Sequence, residues 1–501
     1  MSGDEPNTTR RALGTALLAW PWLGTPAYAS VSGERVLVPA GEFIGVRTEG
    51  VCAFRGIRYG ADTTRTRFKP PRTAPIETRV IKPWQNGPVC PQRTKTIEAQ
   101  SEDCLRLNIW TTSLDTRAKM TVMVYIHGGA YASGSGNDPL TDGATLASNG
   151  EVVVVCVTHR LNAFGYLSLS RLDPRYPDSG NAGQLDLILA LQWIRDNIAA
   201  FGGDSNSVMV FGQSGGGAKI ATLMAMPAAR GLFHRAATMS GQQVTASGPL
   251  NAQRRANAYL AKLGGDPSAA TLLGMVAALD AIDPILGGAI YFGPVVDDLH
   301  LLRHPFYPDA HPQSLHIPML LGNTIAETRA FFRADHKVWQ GLEWDNLADR
   351  LGPELRVDIS PERVITAYRE WFPNKSPAEI FISATTASRS WRGQLMQAEA
   401  RAKANVPAYV YQLDFENAAH TDDIGLVFGT TPNMTAAQRA MSERMRRAFV
   451  AFGKMGAPGW APYRLNKRET MVFDTQSKVV SDPRGREREL FASVPYLQPG
   501  T

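Results

Sequence analysis

Val208-Met209-Val210-Phe211-Gly212-Gln213-Ser214-Gly215-Gly216-Gly217-Ala218 runs from an apolar strand through a glycine-flanked serine into a helix-compatible stretch. Its centre, Gly212 to Gly216, is G-x-S-x-G in the strand-turn-helix setting that the motif's chemistry requires. A nucleophile on so sharp a turn needs neighbours without side-chain bulk, so that the backbone can strain and the hydroxyl stands clear of the sheet. The helix N-terminus behind it favours the negative charge that develops during acyl transfer. A phosphate-binding loop is the rival, since Gly212 and Gly217 have its spacing, but Ala218 stands where its lysine belongs.

Working outward, Thr121 to Ile126 and Glu151 to Val157 are short apolar runs closed by turn signals, as expected of strands covered on both faces. Between Leu185 and Phe201 apolar residues recur at helical spacing until Gly202-Gly203 stops the helix. Further strands are expected at Ile317 to Leu321 and Ala408 to Leu413, each ending in a turn with ionisable residues, where open α/β sheets bind ligands. Residues 35 to 60 alternate apolar and polar positions and suggest an antiparallel set at the sheet edge. The pattern describes an α/β protein with a mixed, mostly parallel sheet flanked by helices. His127-Gly128-Gly129-Ala130 directly follows the strand ending at Ile126 and fits an oxyanion hole, with backbone N–H groups of Gly129, Ala130 and Gly215 as donors.

A chain of 501 residues can bury a large core, and its formal charge of +6 is spread rather than gathered, which argues against a nucleic-acid partner. The dense run Arg484 to Glu489 alternates sign and suggests a solvated turn. Residues 1–29 have the pattern of a twin-arginine-like signal peptide: Arg10-Arg11, an apolar stretch from Ala12 to Leu23, then Ala27-Tyr28-Ala29 before a cleavage point at Ser30. A general secretory signal is the alternative, and the apolar run is too short for a spanning helix, so stable membrane insertion is not expected. An exported catalytic domain over residues 30–501 follows. No C-x-x-C pair occurs, so no metal is implied. An exported protein can keep a disulfide, and Cys90 with Cys104 would close a short surface loop, worth about 3 kcal/mol in the loop-entropy picture. Cys156 lies in a valine run and is expected to be a core thiol.

The chain resembles the type-B carboxylesterases, the family of para-nitrobenzyl esterases and cholinesterases. The resemblance rests on Phe54 to Tyr59, Ser101 to Asn108, His127 to Ala130, Arg160-Leu161 with Gly165, Asn197 to Asp204, Gly212 to Gly216 and Trp460 to Tyr463. It implies the α/β-hydrolase fold, with large insertions between about residues 250 and 400 walling an active-site gorge, and a cofactor-free hydrolase acting on a small-molecule ester. It also implies the remaining catalytic groups. Gly322 to Glu327 is similar to the segment bearing the acid, which makes Glu327 the candidate, with Asp422 and Asp423 as alternatives. His420, followed by Val427-Phe428-Gly429, resembles the histidine loop. A serine hydroxyl needs such an imidazole, and the imidazole needs a carboxylate to fix its tautomer.

Several residues depart from the family pattern. Gln213 replaces a glutamate common before the nucleophile, which removes a carboxylate and argues against cationic choline esters. Gly215 replaces an alanine, which would loosen the oxyanion donor. Ser240 resembles a serine near the triad, either bonded to the imidazole or simply packed. Carbamate or amide hydrolysis by the same triad remains an alternative, whereas intact Ser214 and His420 oppose a catalytically silent binding role.

Overall fold

In the computed structural model, which describes residues 33–81, 85–284 and 288–498, thirteen strands form one sheet. They are β1 Gly33–Val38, β2 Gly41–Thr48, β3 Val51–Arg58, β4 Glu77–Ile81, β5 Arg106–Thr111, β6 Met120–Ile126 and β7 Val153–Thr158. β8 Gly203–Gln213, β9 Arg235–Met239, β10 Met319–Thr324, β11 Ala408–Leu413, β12 Glu469–Phe473 and β13 Lys478–Ser481 complete it. The order is β1-β2-β3-β5-β7-β6-β8-β9-β10-β11-β12-β13, with β4 beside β2. Pairing from β7 through β12 is parallel, and the edge pairs are antiparallel apart from β4, which runs parallel to β2. This is the mixed, mostly parallel α/β-hydrolase sheet. The expected signal segment, residues 1–29, lies outside the described residues.

The central strands are apolar throughout because both faces are covered. Val122, Val124 and Ile126 of β6 pack into one core layer with Val153, Val155 and Val157 of β7. The alternate residues Met123, Tyr125, Val154 and Cys156 pack into the other, as the two-residue period of a strand demands. The helix Ala182–Asn197 packs into the first layer through Leu187, Leu191 and Ile194. The helix Ala436–Met455 packs into the second through Met445, Phe449 and Phe452. A third, separate core of Phe332, Leu347, Val364, Tyr368 and Phe381 belongs to the helical insertion between β10 and β11.

Two expectations change. Arg484 to Glu489 is no solvated turn: Gly485–Ala492 is a helix, and Arg484 and Glu487 are buried. Arg484 donates to both Glu487 oxygens at 2.6 and 2.7 Å, and Tyr368 Oη donates to Glu487 at 2.6 Å. The pair thus docks the C-terminal helix on the insertion core. The Cys90–Cys104 disulfide is not formed here. Both residues are buried free thiols at the two ends of a loop exposed at residues 93–95, and the hydrogen bond to Cys90, then burial, push the Cys104 thiol well above its ordinary value. Ser101-Glu102-Asp103 anchors the edge strands: Glu102 pairs with Arg67, and Asp103 accepts from Arg58 and Arg106, both at 2.7 Å. No helix among the described residues is long and apolar enough to cross a membrane.

Arg160, after β7, is a buried charge of the framework. Its guanidinium donates to Asp186 at 2.6 and 2.9 Å and to the Lys69 carbonyl at 3.0 Å, with the two side chains 2% and 0% exposed. Removing one partner strands the other in the core. Asp186→Ala is expected to lower unfolding stability by about 3–5 kcal/mol, read by denaturant titration.

Candidate catalytic site

Ser214 sits at the end of β8, ahead of the helix Gly215–Leu223, with φ 54° and ψ −123°. That conformation is strained for any residue with a side chain and is held by the Ser214 N–H, which donates to Met239 O at 2.7 Å. The glycines on either side are forced by space: a Cβ on Gly216 would lie 1.9 Å from the Ile126 carbonyl oxygen. The turn is therefore wedged against the end of β6, where the His127 to Ala130 segment begins.

Glu327 follows β10 and His420 follows β11, so the two side chains arrive on loops from adjacent parallel strands. Backbone bonds tie the loops together, with Ala326 N donating to Ala418 O at 2.9 Å and His420 N to Glu327 O at 3.3 Å. His420 Nδ1 donates to Glu327 Oε2 in a short hydrogen bond. The other oxygen, Oε1, accepts from Ser240 Oγ, from Thr324 N at 2.8 Å and from Asn323 Nδ2 at 3.2 Å. Burial alone would push the Glu327 carboxyl up, but the His420 imidazole and these donors outweigh it and hold it below the usual range. Ser240 therefore bonds the acid, neither the imidazole nor nothing. Asp422 accepts from Ala419 N at 2.7 Å and does not reach the imidazole.

With Nδ1–H committed to Glu327, Nε2 is an acceptor, and it lies 3.2 Å from the Gln213 amide nitrogen. Ser214 Oγ has no hydrogen bond among the described residues, yet Ser214, His420, Ala130, Gly215 and Ser240 line one pocket. The neutral glutamine thus occupies the ring nitrogen of His420 that faces away from Glu327. Phe331, four residues beyond the acid, covers the imidazole with ring centroids 4.8 Å apart.

Of the expected oxyanion donors, Ala130 and Gly215 line the same pocket, and Gly129 directly precedes Ala130. Gly129 has φ 86° and Ala130 φ 50°, both in the left-handed region. Gly215 is tight rather than loose: a Cβ there would sit 2.8 Å from Ala130 N, so the missing methyl lets the loop close on the helix. Under the loop lies Lys219, fully buried, whose ammonium donates to His127 O at 3.1 Å and faces the Tyr131 ring at 5.0 Å. Burial pulls Lys219 down to about 7, and burial followed by the Lys219 charge pulls His127 down to about 3. No group of three or more His, Cys, Asp or Glu among the described residues is arranged to hold a metal. A larger cleft of about 540 Å³ beside Arg55 and Trp110 contains none of these groups, so chemistry rather than size marks the site.

Asp423, the other alternative acid, is fully buried near Glu327 and His420 and accepts from Tyr411 Oη at 3.0 Å. Burial, then the Glu327 charge, push it up to about 7. The unfolded chain releases this proton in the ordinary aspartate range of about 4, whereas the folded protein keeps it to about 7. Stability therefore falls as pH rises across that interval and levels above it. Asp423→Asn is expected to flatten this fall, so that its melting temperature gains on the parent between about pH 4 and pH 7. A constant offset between the two curves would refute the assignment.

Comparison with known proteins agrees with this geometry. The model of the carboxylesterase family matches residues 32–490. A para-nitrobenzyl esterase of Bacillus subtilis is 33% identical over 493 residues, 90% of this chain and 97% of that protein. A Rhodococcus erythropolis protein named "Probable N-octanoylanthranilate hydrolase" is 30% identical over 474 residues, 87% of this chain and 96% of its own. The solved Geobacillus stearothermophilus carboxylesterase EST55 superposes with a TM-score of 0.83 at 32% identity, covering 91% of this chain and 99% of that one. With the parallel sheet, the strained serine and the buried acid–imidazole pair, these matches place the chain in the carboxylesterase family, as an esterase-type serine hydrolase.

Proposed function

We propose that Ser214 is the nucleophile, His420 the general base and Glu327 the orienting acid of a two-step ester hydrolysis. The observation that carries this reading is the Glu327–His420 hydrogen bond, which leaves Nε2 as an acceptor in the pocket that Ser214 lines. Ser214 Oγ takes the place of the Gln213 amide at Nε2, gives up its proton there and attacks the ester carbonyl. The carbonyl oxygen gains the charge, and the amides of Gly129, Ala130 and Gly215 receive it, each donor being worth about 2.7 to 4 kcal/mol in comparable sites. The imidazolium, stabilised by Glu327, passes its proton to the departing alcohol. Water, deprotonated by the same histidine, then releases the acid from the acyl-enzyme.

Amide or carbamate cleavage is the second reading. It is favoured by the relative named as hydrolysing N-octanoylanthranilate, because the same triad serves that bond with a poorer leaving group. A panel of short aryl esters, carbamates and anilides separates the two. Ester turnover is expected to exceed the others and to fall about a thousandfold or more in Ser214→Ala. Faster anilide than ester turnover would favour the second reading. Ester turnover that survives in Ser214→Ala would refute the serine assignment.

A further inference from the structure

Arg389 stands in the wall of the pocket that Ser214 and His420 line, and its guanidinium has no acid partner among the described residues. The long helical stretch from Pro377 to Lys403 widens into a π-helical segment at Ala387–Trp391, and the bulge carries Arg389 into the pocket that Ser214 and His420 line. Such bulges recur at functional sites because they redirect side chains out of the helical register. The guanidinium lies over the Phe331 ring at 4.9 Å, and that ring covers His420. Its side chain makes no ion pair or hydrogen bond among the described residues.

The surroundings raise the cost of this charge. No aspartate or glutamate among the described residues lines the pocket, and Gln213 stands where a carboxylate is common. Glu327 lies behind the imidazole with both oxygens engaged. The neighbouring Arg356 is held below its ordinary value first by burial and then by the Arg389 charge, while its own acid, Glu354, stands 4.0 Å away. Arg392 is committed to Glu399 at 3.6 Å. A half-buried guanidinium among like charges would gain a counter-charge from an anion entering with the substrate. The planar fork of its donors suits a carboxylate, which it can hold by two parallel hydrogen bonds.

We infer that Arg389 is a specificity residue that binds a carboxylate carried by the ester, so that this enzyme favours anionic esters over neutral ones of the same shape. The inference rests on the serine-esterase reading above. It is tested with matched pairs: para-nitrophenyl hydrogen adipate against para-nitrophenyl hexanoate, with the charge on the acyl side, and meta-carboxyphenyl acetate against phenyl acetate, with the charge on the alcohol side. The readout is the ratio of kcat/KM for the charged and neutral members within one preparation, so loss of folded protein cancels. In at least one pair the parent is expected to favour the charged member. Arg389→Gln should lower that ratio about tenfold or more, Arg389→Lys should restore part of it, and added salt should weaken it. A ratio unchanged in Arg389→Gln, or a parent that favours the neutral member of both pairs, would overturn the assignment. A parent that hydrolyses neither member contradicts the esterase reading itself, a result distinct from turnover without discrimination.

Discussion

Glu327 is cut off from water, and a buried carboxylate is tolerable only when donors surround it. The four that do so come from separate parts of the chain: Ser240 after β9, Asn323 and Thr324 at the end of β10, and His420 after β11. Satisfying one charge therefore fixes the mutual position of three strand ends. The imidazole gains a single tautomer and a single orientation from the same contacts. Ser214, strained on the next strand end, completes a site whose geometry follows from the parallel order β8-β9-β10-β11.

The electrostatics around this carboxylate are unusual in sign. The residue preceding Ser214 is neutral, a lysine without an acid partner in its hydrogen bonds lies under the His127 to Ala130 segment, and the pocket wall carries an arginine. Asp423, which would add negative charge, is pushed towards its protonated form by the charge of Glu327 and by burial. The result is one firmly ionised acid behind the histidine and a pocket otherwise neutral or positive. That balance favours charge developing on a carbonyl oxygen, which the reaction requires.

What was legible in the sequence was local. The strand, turn and helix around Ser214 are contiguous, and the valine runs of β6 and β7 announce double burial by composition alone. The Glu327–His420 pair is separated by 93 residues, and nothing in either segment by itself announces the other; the family resemblance supplied that pairing. Ser240 shows the limit. Its place near the triad was readable, but its choice of the carboxylate over the imidazole depends on the close approach of β9 to β10, with Ser240 N bonded to Gly322 O at 2.6 Å. Arg484 and Glu487 were misread as solvated because Tyr368, 119 residues away, supplies the buried hydrogen bond that makes their burial tolerable. Arg389 gave no local signal, since the widened helical turn that exposes it is a tertiary accommodation rather than a motif.

The most direct measurement is the rate and site of phosphonylation by an aryl fluorophosphonate, followed by peptide mass spectrometry, in the parent and in Glu327→Gln. A nucleophile activated by a histidine that Glu327 orients should carry a single adduct on Ser214, formed at least about a hundredfold more slowly in the variant. An adduct on another residue, or equal rates on Ser214 in both proteins, would contradict the account.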